Sequence, residues 1–316
     1  MVAIVSGLTR RTAAVLLTAC AAVAAAGCGG GGDGGPEVTE RIQVGEAPSD
    51  VATGYGGVWL VNSEVLQEID PRRNTTLISE PPDVGEGGIG LALGAGSVWS
   101  TAALDGVVVR FDPRTTKRTA IRTPRAGPSD VAVGEGAVWA VSSAVGLVSR
   151  IDPRRNRVTS SAPAGNEPSA IAAGAGSVWV ANLGEDSVTR IDPADGKAAG
   201  DPIPVGKAPA GIAVGGGSVW VANSGDGSVS RIDPRSGRVS ATIKGVGSAP
   251  SDVATGLGYV WVVNSRDDTL ARIDPAKNAR VGDPIRVGTG LTDVAVGFGS
   301  VWVAASQDNQ IVRVKP

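Results

Sequence analysis

Apolar and small residues alternate in short runs along most of the chain, and turn residues separate the runs. Within residues 211–243, four runs of five or six residues are interrupted by Gly-Gly-Gly, Asn-Ser-Gly-Asp-Gly and Asp-Pro sequences. Alternation with a period of two is typical of half-buried β-strands, and turn residues between such strands close hairpins. The pattern therefore predicts four antiparallel strands in about 40 residues.

This unit recurs seven times, and a tryptophan marks the centre of each copy. Successive tryptophans are 40 or 41 residues apart: Trp59, Trp99, Trp139, Trp179, Trp220, Trp261 and Trp302. A period of about 40 residues with four strands per repeat is typical of β-propeller blades. The chain is therefore predicted to be an all-β, seven-bladed β-propeller with four-stranded blades. Because each tryptophan lies mid-strand, we expect it to pack between neighbouring blades.

The two ends of the repeat region complement each other. Residues 38–45 resemble the fourth strand of other units but precede the first unit, whereas the seventh unit ends at Pro316 without a fourth strand. Pairing of these two segments would cover an exposed strand edge. Residues 38–316 are therefore predicted to form one propeller, closed 3+1 by the N-terminal strand 38–45.

Two turn signatures recur with the tryptophan. Gly-x-Gly precedes every tryptophan, and glycine tolerates the positive φ of tight hairpins. Asp-Pro ends the third strand in six units, where the aspartate is expected to form a turn rather than to catalyse. These turn aspartates are Asp70, Asp112, Asp152, Asp192, Asp233 and Asp274. Five have an arginine two residues earlier, which we expect to pair with them: Arg110, Arg150, Arg190, Arg231 and Arg272.

The N-terminal segment differs in composition from the repeats. Two arginines precede an apolar run rich in Ala, Val and Leu, which is typical of a signal peptide. Ala25-Ala26-Gly27-Cys28 resembles the lipobox of bacterial lipoproteins, and Cys20 follows an alternative version of that pattern. We predict a lipoprotein signal peptide at 1–27, lipidation of Cys28, and a glycine-rich tether at 28–37. The protein is then expected outside the cytoplasm, anchored to the cell membrane.

Composition excludes several functions. The 316 residues include 29 Lys and Arg against 31 Asp and Glu, so the formal net charge of −2 gives no electrostatic basis for binding nucleic acid. The chain has no histidine, and both cysteines lie in the predicted export segment. The commonest general base, Cys–His catalysis and disulfides are therefore absent from the predicted propeller. The sequence favours a monomeric binding or scaffold module over an enzyme.

Charged loop residues are predicted to divide between the two faces of the propeller. Connections from strand four to strand one, and from strand two to strand three, share a face and are rich in Asp and Glu. The remaining hairpins carry most of the Arg and Lys residues. Because clustered charge steers association, we expect the acidic face to engage a protein, peptide or glycan.

Four aspartates occupy equivalent positions, nine residues before their tryptophan: Asp50, Asp130, Asp252 and Asp293. They are expected to form a broken ring at the channel mouth and are the candidate ligand-binding residues. Four asparagines end the second strand on the same face: Asn62, Asn182, Asn223 and Asn264. Carboxylate and amide oxygens suit Ca²⁺ or Mg²⁺, so these eight residues are a candidate metal site. The alternative is that each caps its own loop.

The motifs Pro-x-x-Val-Ala-x-Gly-x-Gly-x-Val-Trp-Val-x-Asn-Ser, Val-x-Arg-Ile-Asp-Pro and Ile-x-Val-Gly resemble the YVTN-type propeller repeats of bacterial surface proteins. They are also similar to the repeats of streptogramin (virginiamycin B) lyases, over residues 38–316. The second resemblance implies a catalytic histidine beside a metal, and no position here can supply that histidine. The alternative function is a metal-dependent lyase or lactonase at the channel mouth, with chemistry that differs from that of the streptogramin lyases.

Overall fold

A computed structural model of the chain describes residues 35–77, 82–124 and 127–316. They belong to one unit that spans Gly34–Pro316. Seven antiparallel sheets make up this unit, which confirms the predicted seven-bladed propeller. The predicted signal peptide, the lipidation site Cys28 and the tether as far as residue 34 lie outside the described residues. The described part contains no helix with the length and hydrophobicity to cross a bilayer.

Each blade is numbered by its order in the chain, and its strands run from the channel outwards. Blade 1 contains β2 (Asp50–Gly54), β3 (Gly57–Asn62), β4 (Val65–Asp70) and β5 (Thr75–Thr76). Blade 2 contains β6 (Leu91–Gly94), β7 (Ser97–Ala102), β8 (Val107–Phe111) and β9 (Arg118–Arg122). Blade 3 contains β10 (Asp130–Gly134), β11 (Ala137–Ser142), β12 (Leu147–Asp152) and β13 (Arg157–Pro163). Blade 4 contains β14 (Pro168–Gly174), β15 (Ser177–Asn182), β16 (Ser187–Ile191) and β17 (Ile203–Pro204).

The remaining blades follow the same plan. Blade 5 contains β18 (Pro209–Gly215), β19 (Ser218–Asn223), β20 (Ser228–Asp233) and β21 (Arg238–Lys244). Blade 6 contains β22 (Pro250–Gly256), β23 (Tyr259–Asn264), β24 (Thr269–Asp274) and an outer edge split into β25 (Ala279–Arg280) and β26 (Ile285–Arg286). Blade 7 contains β27 (Leu291–Gly297), β28 (Ser300–Ala305), β29 (Gln310–Lys315) and β1 (Glu37–Gln43). Short 3₁₀ helices lie at Ser143–Val145 and Leu183–Glu185.

The N-terminal strand closes the ring as predicted. β1 pairs antiparallel with β29, so that Glu37 lies opposite Lys315 and Gln43 opposite Gln310. The strand begins one residue earlier and ends two residues earlier than predicted, at Gln43. We expect residues 35–316 to fold on their own, because the closing strand and all seven blades lie within them.

The tryptophans fill the junctions between blades, which confirms their predicted structural role. All seven are at most 1% exposed. Trp302 of blade 7 packs with Val51, Val58 and Leu60 of blade 1, and each other tryptophan packs in the same way against the blade that follows its own. Each indole N–H also donates to the carbonyl oxygen five residues earlier, as Trp302 does to Gly297 at 3.0 Å. The indole is therefore buried without an unpaired polar group.

The first glycine of Gly-x-Gly has a different role from the one predicted. At Gly297, a Cβ atom would lie 2.4 Å from Thr53 Oγ1 of the next blade, and at the equivalent glycines it would lie 2.0 to 2.9 Å from the next blade. This glycine therefore permits close packing of blades. The second glycine, such as Gly299 with φ of +71°, is the one that needs a left-handed backbone.

The Asp-Pro aspartates form turns as predicted. Asp233 Oδ1 accepts backbone N–H groups from Arg235 at 2.7 Å and Ser236 at 3.2 Å. These two hydrogen bonds, with the charges of nearby arginines, lower the pKa of Asp233. The other five turn aspartates also accept from the backbone N–H two residues on.

The arginine before the Asp-Pro turn does not chiefly pair with its own aspartate, contrary to the sequence prediction. The Arg231 guanidinium stacks on Trp220, 5.0 Å from the ring centroid, and its Nε donates to Ser218 at 2.8 Å. Its Nη1 reaches blade 6 and donates to Pro275 O and Asn278 Oδ1, both at 2.7 Å. Arg110 and Arg313 bridge to the following blade in the same way. The planar guanidinium therefore joins blades, because it can stack and donate in several directions.

Removing this bridge should destabilise the propeller more than removing a stacked arginine that lacks it. Arg150 is the matched control: it stacks on Trp139, but Ala137 replaces the serine partner and its Nη1 donates only to Thr159 of its own blade. We expect Arg231→Ala to lower the free energy of unfolding by about 2–3 kcal/mol and Arg150→Ala by about 1 kcal/mol. Denaturant unfolding of residues 35–316 measures both, and equal losses would contradict the bridging role.

Candidate functional site

The four predicted aspartates come together at one end of the central channel. Each begins or nearly begins the inner strand of its blade, and all four line a single cavity of about 250 Å³. The hydroxyl residues directly before the ring position in five blades share the cavity: Ser49, Ser129, Ser169, Ser251 and Thr292. We call this cavity the mouth, and the side of the propeller that contains it the mouth face. The opposite side, which carries the Asp-Pro turns and the Gly-x-Gly hairpins, is the turn face.

Every ring aspartate also joins its blade to the next one. The shared contact is a backbone N–H of the neighbouring inner strand, which donates to one carboxylate oxygen. The pairs are Leu91 to Asp50 at 2.7 Å, Ile171 to Asp130 at 2.9 Å, Val294 to Asp252 at 3.3 Å and Val51 to Asp293 at 2.7 Å. The ring is therefore partly structural, as the loop-cap alternative suggested, but each cap acts between blades rather than within a loop.

The three blades without an aspartate have Gly90, Ala170 and Gly211 at this position. A Cβ atom at Gly90 would lie 2.9 Å from Asp130 Cα, and one at Gly211 would lie 2.5 Å from Asp252 Oδ1. These two glycines make room for the aspartates of the following blades. A side chain at Gly90 or Gly211 would therefore displace the aspartate of the next blade.

Enclosure raises the pKa of three of the four carboxyl groups. For Asp50 and Asp252 the causes are burial, followed by the charge of Asp293 and hydrogen bonding with its carboxyl group. For Asp130, burial raises the pKa to about 7 against the opposing effect of N–H groups from Ile171 and Val131. The channel leaves each side chain partly accessible to water, yet protein surrounds the mouth on its other sides. The site therefore holds one carboxyl group, that of Asp130, with a pKa of about 7, beside two others whose pKa is raised.

The four asparagines are not part of the mouth. All are at most 2% exposed, and none lines the cavity. The Asn223 amide nitrogen donates to Ser228 and Ser230, both at 3.0 Å, and Asn182 makes equivalent bonds in blade 4. Asn264 donates to Thr269 Oγ1 and to Val246 O, both at 3.1 Å. The amide nitrogens of Asn182, Asn223 and Asn264 therefore bond within their own blades. The asparagines lie apart from the aspartates, and their part in a metal site stays a prediction.

Most other carboxylates of the mouth face cap loops. Asp226, Asp267 and Asp308 each accept a backbone N–H from the connection that enters the inner strand of the same blade. Asp186 accepts from Ala208 of the next blade at 2.7 Å. These carboxylates already accept hydrogen bonds from nearby loops. The ring aspartates are therefore the strongest candidates on this face for binding a ligand.

The hydroxyl groups beside the ring were not singled out from the sequence. Ser169 Oγ donates to Pro209 O of the next blade at 2.7 Å, and Thr292 Oγ1 donates to Pro48 O at 3.2 Å. The repeated Pro-Ser dipeptide could have indicated them, but within a single repeat this dipeptide predicts only a turn. Its partner lies one period away in the chain, so the contact follows only from the stacking of blades.

Larger cavities lie elsewhere, but they do not bring together several carboxyl groups of raised pKa. A cavity of about 620 Å³ lies between blades 2 and 3 on the turn face, beside Arg110 and Arg154. Arg110 already stacks on Trp99 and bonds to Pro153 and Asn156. Only the mouth combines several carboxyl groups of raised pKa in one cavity among the described residues.

Comparison with known proteins places this architecture. The model of the virginiamycin B lyase family matches residues 74–316. The chain belongs to the virginiamycin B lyase family. This match confirms the resemblance inferred from the repeat motifs. No curated protein sequence matches the chain.

Solved structures share the fold at low sequence identity. A streptogramin B lyase aligns with a TM-score of 0.76 and 17% identity, over 89% of this chain and 97% of that one. A catalytically inactive His-to-Ala variant of Staphylococcus aureus virginiamycin B lyase with quinupristin aligns with a TM-score of 0.77 and 17% identity, over 89% and 99%. Kuenenia stuttgartiensis hydrazine synthase aligns with a TM-score of 0.74 and 13% identity, over 85% and 96%. These likenesses show the fold, which supports unrelated activities.

The predicted metal site can be compared with the arrangement of its eight candidate ligands. Within residues 35–77, 82–124 and 127–316, no group of three or more His, Cys, Asp or Glu lies close enough to hold a metal ion. One oxygen of each ring aspartate accepts a backbone N–H, and the asparagine amides lie outside the mouth. The eight residues therefore do not come together as one set of ligands, and a Ca²⁺ or Mg²⁺ ion bound by the four aspartates stays a prediction.

The raised pKa of Asp130 predicts how stability depends on pH. Between the ordinary value of 3.8 and about 7, the folded state binds the proton more tightly than the unfolded state. This contribution to the free energy of unfolding is therefore present in acid and is lost as pH rises through 7. We expect the difference in the free energy of unfolding between Asp130→Asn and the wild type to be about 1–2 kcal/mol more favourable to the variant at pH 8 than at pH 5. This figure allows for screening of the carboxylate by water in the channel.

Urea unfolding of residues 35–316 at several pH values measures this difference. The exposed Glu185, on the same face but outside the mouth, is a matched control as Glu185→Gln. Identical pH dependence in the wild type and the Asp130→Asn variant would contradict the enclosure of this carboxyl group.

Proposed function

We propose that this protein is a binding module whose mouth takes up a cationic group of a protein or peptide ligand. The observation that carries the proposal is the convergence of Asp50, Asp130, Asp252 and Asp293 on one cavity. Like charges so enclosed are costly when ionised, and this cost raises the pKa of three of them. An ammonium or guanidinium group would remove that cost, so binding is strongest for a ligand with positive charge.

The size of the mouth supports a small group rather than a whole drug-sized ligand. Its volume of about 250 Å³ is below the range typical of small-molecule pockets. Hydroxyl and carboxylate groups dominate the lining, with Ile89 and Ala170 among the few apolar contributors. A lysine or arginine side chain presented by a partner protein or peptide matches this combination of size and polarity.

The family membership does not carry streptogramin lyase activity to this chain. The inactive S. aureus variant lacks a histidine, and the present sequence contains no histidine at any position. No residue can therefore supply that imidazole. This supports a function other than the lyase reaction for which the family is named.

A second candidate function is enzymatic, as a lyase or lactonase acting at the mouth. The observation that favours it is the pKa of Asp130, about 7, since a general acid or base works best when its pKa lies near the operating pH. A carboxyl group of this kind can exchange a proton with a substrate at neutral pH. Turnover of quinupristin or of simple lactones that is lost in Asp130→Asn would move the assignment to this alternative.

We also propose the cellular location from the sequence of the N-terminal segment. A signal peptide at 1–27 and lipidation of Cys28 would anchor the propeller outside the cytoplasm. The Gly-rich residues before β1 would then serve as the tether, and the partner would be a protein or peptide of the cell envelope.

Ligand binding can be tested with the tripeptides Gly-Arg-Gly and Gly-Lys-Gly, with neutral Gly-Gln-Gly as the matched probe. NMR titration of residues 35–316 in the presence of a chelator should show saturable binding of the two cationic peptides only. We expect Asp130→Asn and Asp293→Asn to weaken binding at least about fivefold, because each removes one carboxylate from the mouth. Affinity should rise as pH increases through 7, since Asp130 then becomes charged.

Glu185→Gln is again the control and should bind as the wild type does. Equal binding of Gly-Gln-Gly, or equal loss in the control variant, would contradict the proposal. A loss of binding in chelator that millimolar Ca²⁺ restores would instead support a metal site.

A further inference from the structure

Three large apolar side chains protrude from the turn face. Tyr55, Leu257 and Phe298 occupy the tips of the Gly-x-Gly hairpins in blades 1, 6 and 7, and are 46%, 42% and 44% exposed. Because blade 7 lies between blades 6 and 1, the three tips are consecutive around the ring. Their hairpins pack together, as Thr53 Oγ1 donates to Val296 O at 2.9 Å across one junction. We call these three residues the apolar tips.

The three apolar tips adopt an unfavourable backbone conformation. Their φ angles are +53°, +55° and +53°, in the left-handed region that large L-residues rarely adopt. The equivalent tips of blades 2 to 5 carry Ala95, Glu135, Ala175 and Gly216. An exposed Tyr, Leu or Phe at such a position helps neither the core nor the turn. Its presence on three adjacent hairpins points to contact with something outside the propeller.

Basic residues accompany the apolar tips. Arg72, Arg73, Lys277 and Lys315 are exposed on the same three blades of the turn face. Arg73 and Lys277 pair with their turn aspartates, yet their side chains remain 78% and 76% exposed. The mouth, with its carboxyl groups, lies on the opposite face. This polarity favours an anionic surface on the turn face and disfavours it on the mouth face.

The chain enters the propeller at the same place. Glu37, the first residue of β1, lies opposite Lys315 at the turn-face end of blade 7. Eight residues lie between Cys28 and Glu37 in the sequence, and such a segment spans at most about 30 Å. A lipid on Cys28 would therefore hold the turn face, rather than the mouth face, towards the bilayer.

From these observations we propose that the apolar tips and the surrounding basic residues dock the turn face on an anionic lipid bilayer. Tyr, Leu and Phe enter the interface between headgroups and acyl chains, while the basic side chains meet lipid phosphates. The mouth then points away from the membrane, where a soluble or envelope partner can reach it. The proposal concerns a different face from the ligand site and does not depend on it.

Sedimentation of residues 35–316 with lipid vesicles tests the docking without any anchor. Vesicles that contain phosphatidylglycerol should retain the protein, more strongly at low salt, and vesicles of phosphatidylcholine alone should retain much less. The triple variant Tyr55→Asn, Leu257→Asn, Phe298→Asn should partition at least about tenfold more weakly. Asparagine tolerates positive φ, so the triple variant should melt at the same temperature as the wild type or higher.

Ala95→Asn with Ala175→Asn changes equivalent tips on blades 2 and 4 and should leave vesicle binding unchanged. Asp130→Asn should also bind vesicles as the wild type does, which separates this result from a failure at the mouth. Wild-type protein that stays in solution with anionic vesicles overturns the proposal and would leave the tips to a protein partner. Equal vesicle binding by the wild type and the triple variant overturns it as well.

Discussion

The propeller depends on the burial of one tryptophan at every junction between blades. Each indole is covered by the inner and second strands of the following blade, and its N–H is satisfied by a carbonyl five residues earlier. The packing is possible because the first glycine of the same hairpin leaves no Cβ between the blades. With only seven tryptophans, two tyrosines and two phenylalanines in the chain, few other side chains can fill this volume.

Polar bridges flank this apolar junction on both sides. On the turn face, arginines such as Arg231 stack on the tryptophan of their own blade and bond to the Asp-Pro turn of the next. On the mouth face, the ring aspartates accept N–H groups from the neighbouring inner strand. The arginines donate hydrogen bonds from part-buried positions, whereas burial raises the pKa of Asp50, Asp130 and Asp252. The ring aspartates are therefore the bridging groups that a ligand can also contact.

The sequence was sufficient for the architecture because every relevant signal lies within one period. The tryptophan spacing, the Asp-Pro turns and the displaced N-terminal strand are all local patterns, and each was confirmed, the strand at residues 37–43 rather than 38–45. Contacts between blades were harder, since their partners lie about one period away. For this reason, the reach of Arg231 to Asn278, the packing role of Gly297 and the separation of the asparagines from the mouth were visible only in three dimensions. The ring itself was predictable, because equivalent positions in a propeller surround one channel.

A direct measurement of the pKa of Asp130 is the most decisive test of the mouth as a cation-binding site. Carbon-13 NMR of the aspartate carboxyl groups, with Asp130→Asn for assignment, reports its pKa in residues 35–316 with and without Gly-Arg-Gly. The structure predicts a midpoint of about 7 in the free protein and a lower one when a cationic group occupies the mouth. A midpoint at the ordinary value near 3.8 that the peptide does not change would contradict both the enclosure of the ring and its use as a cation-binding site.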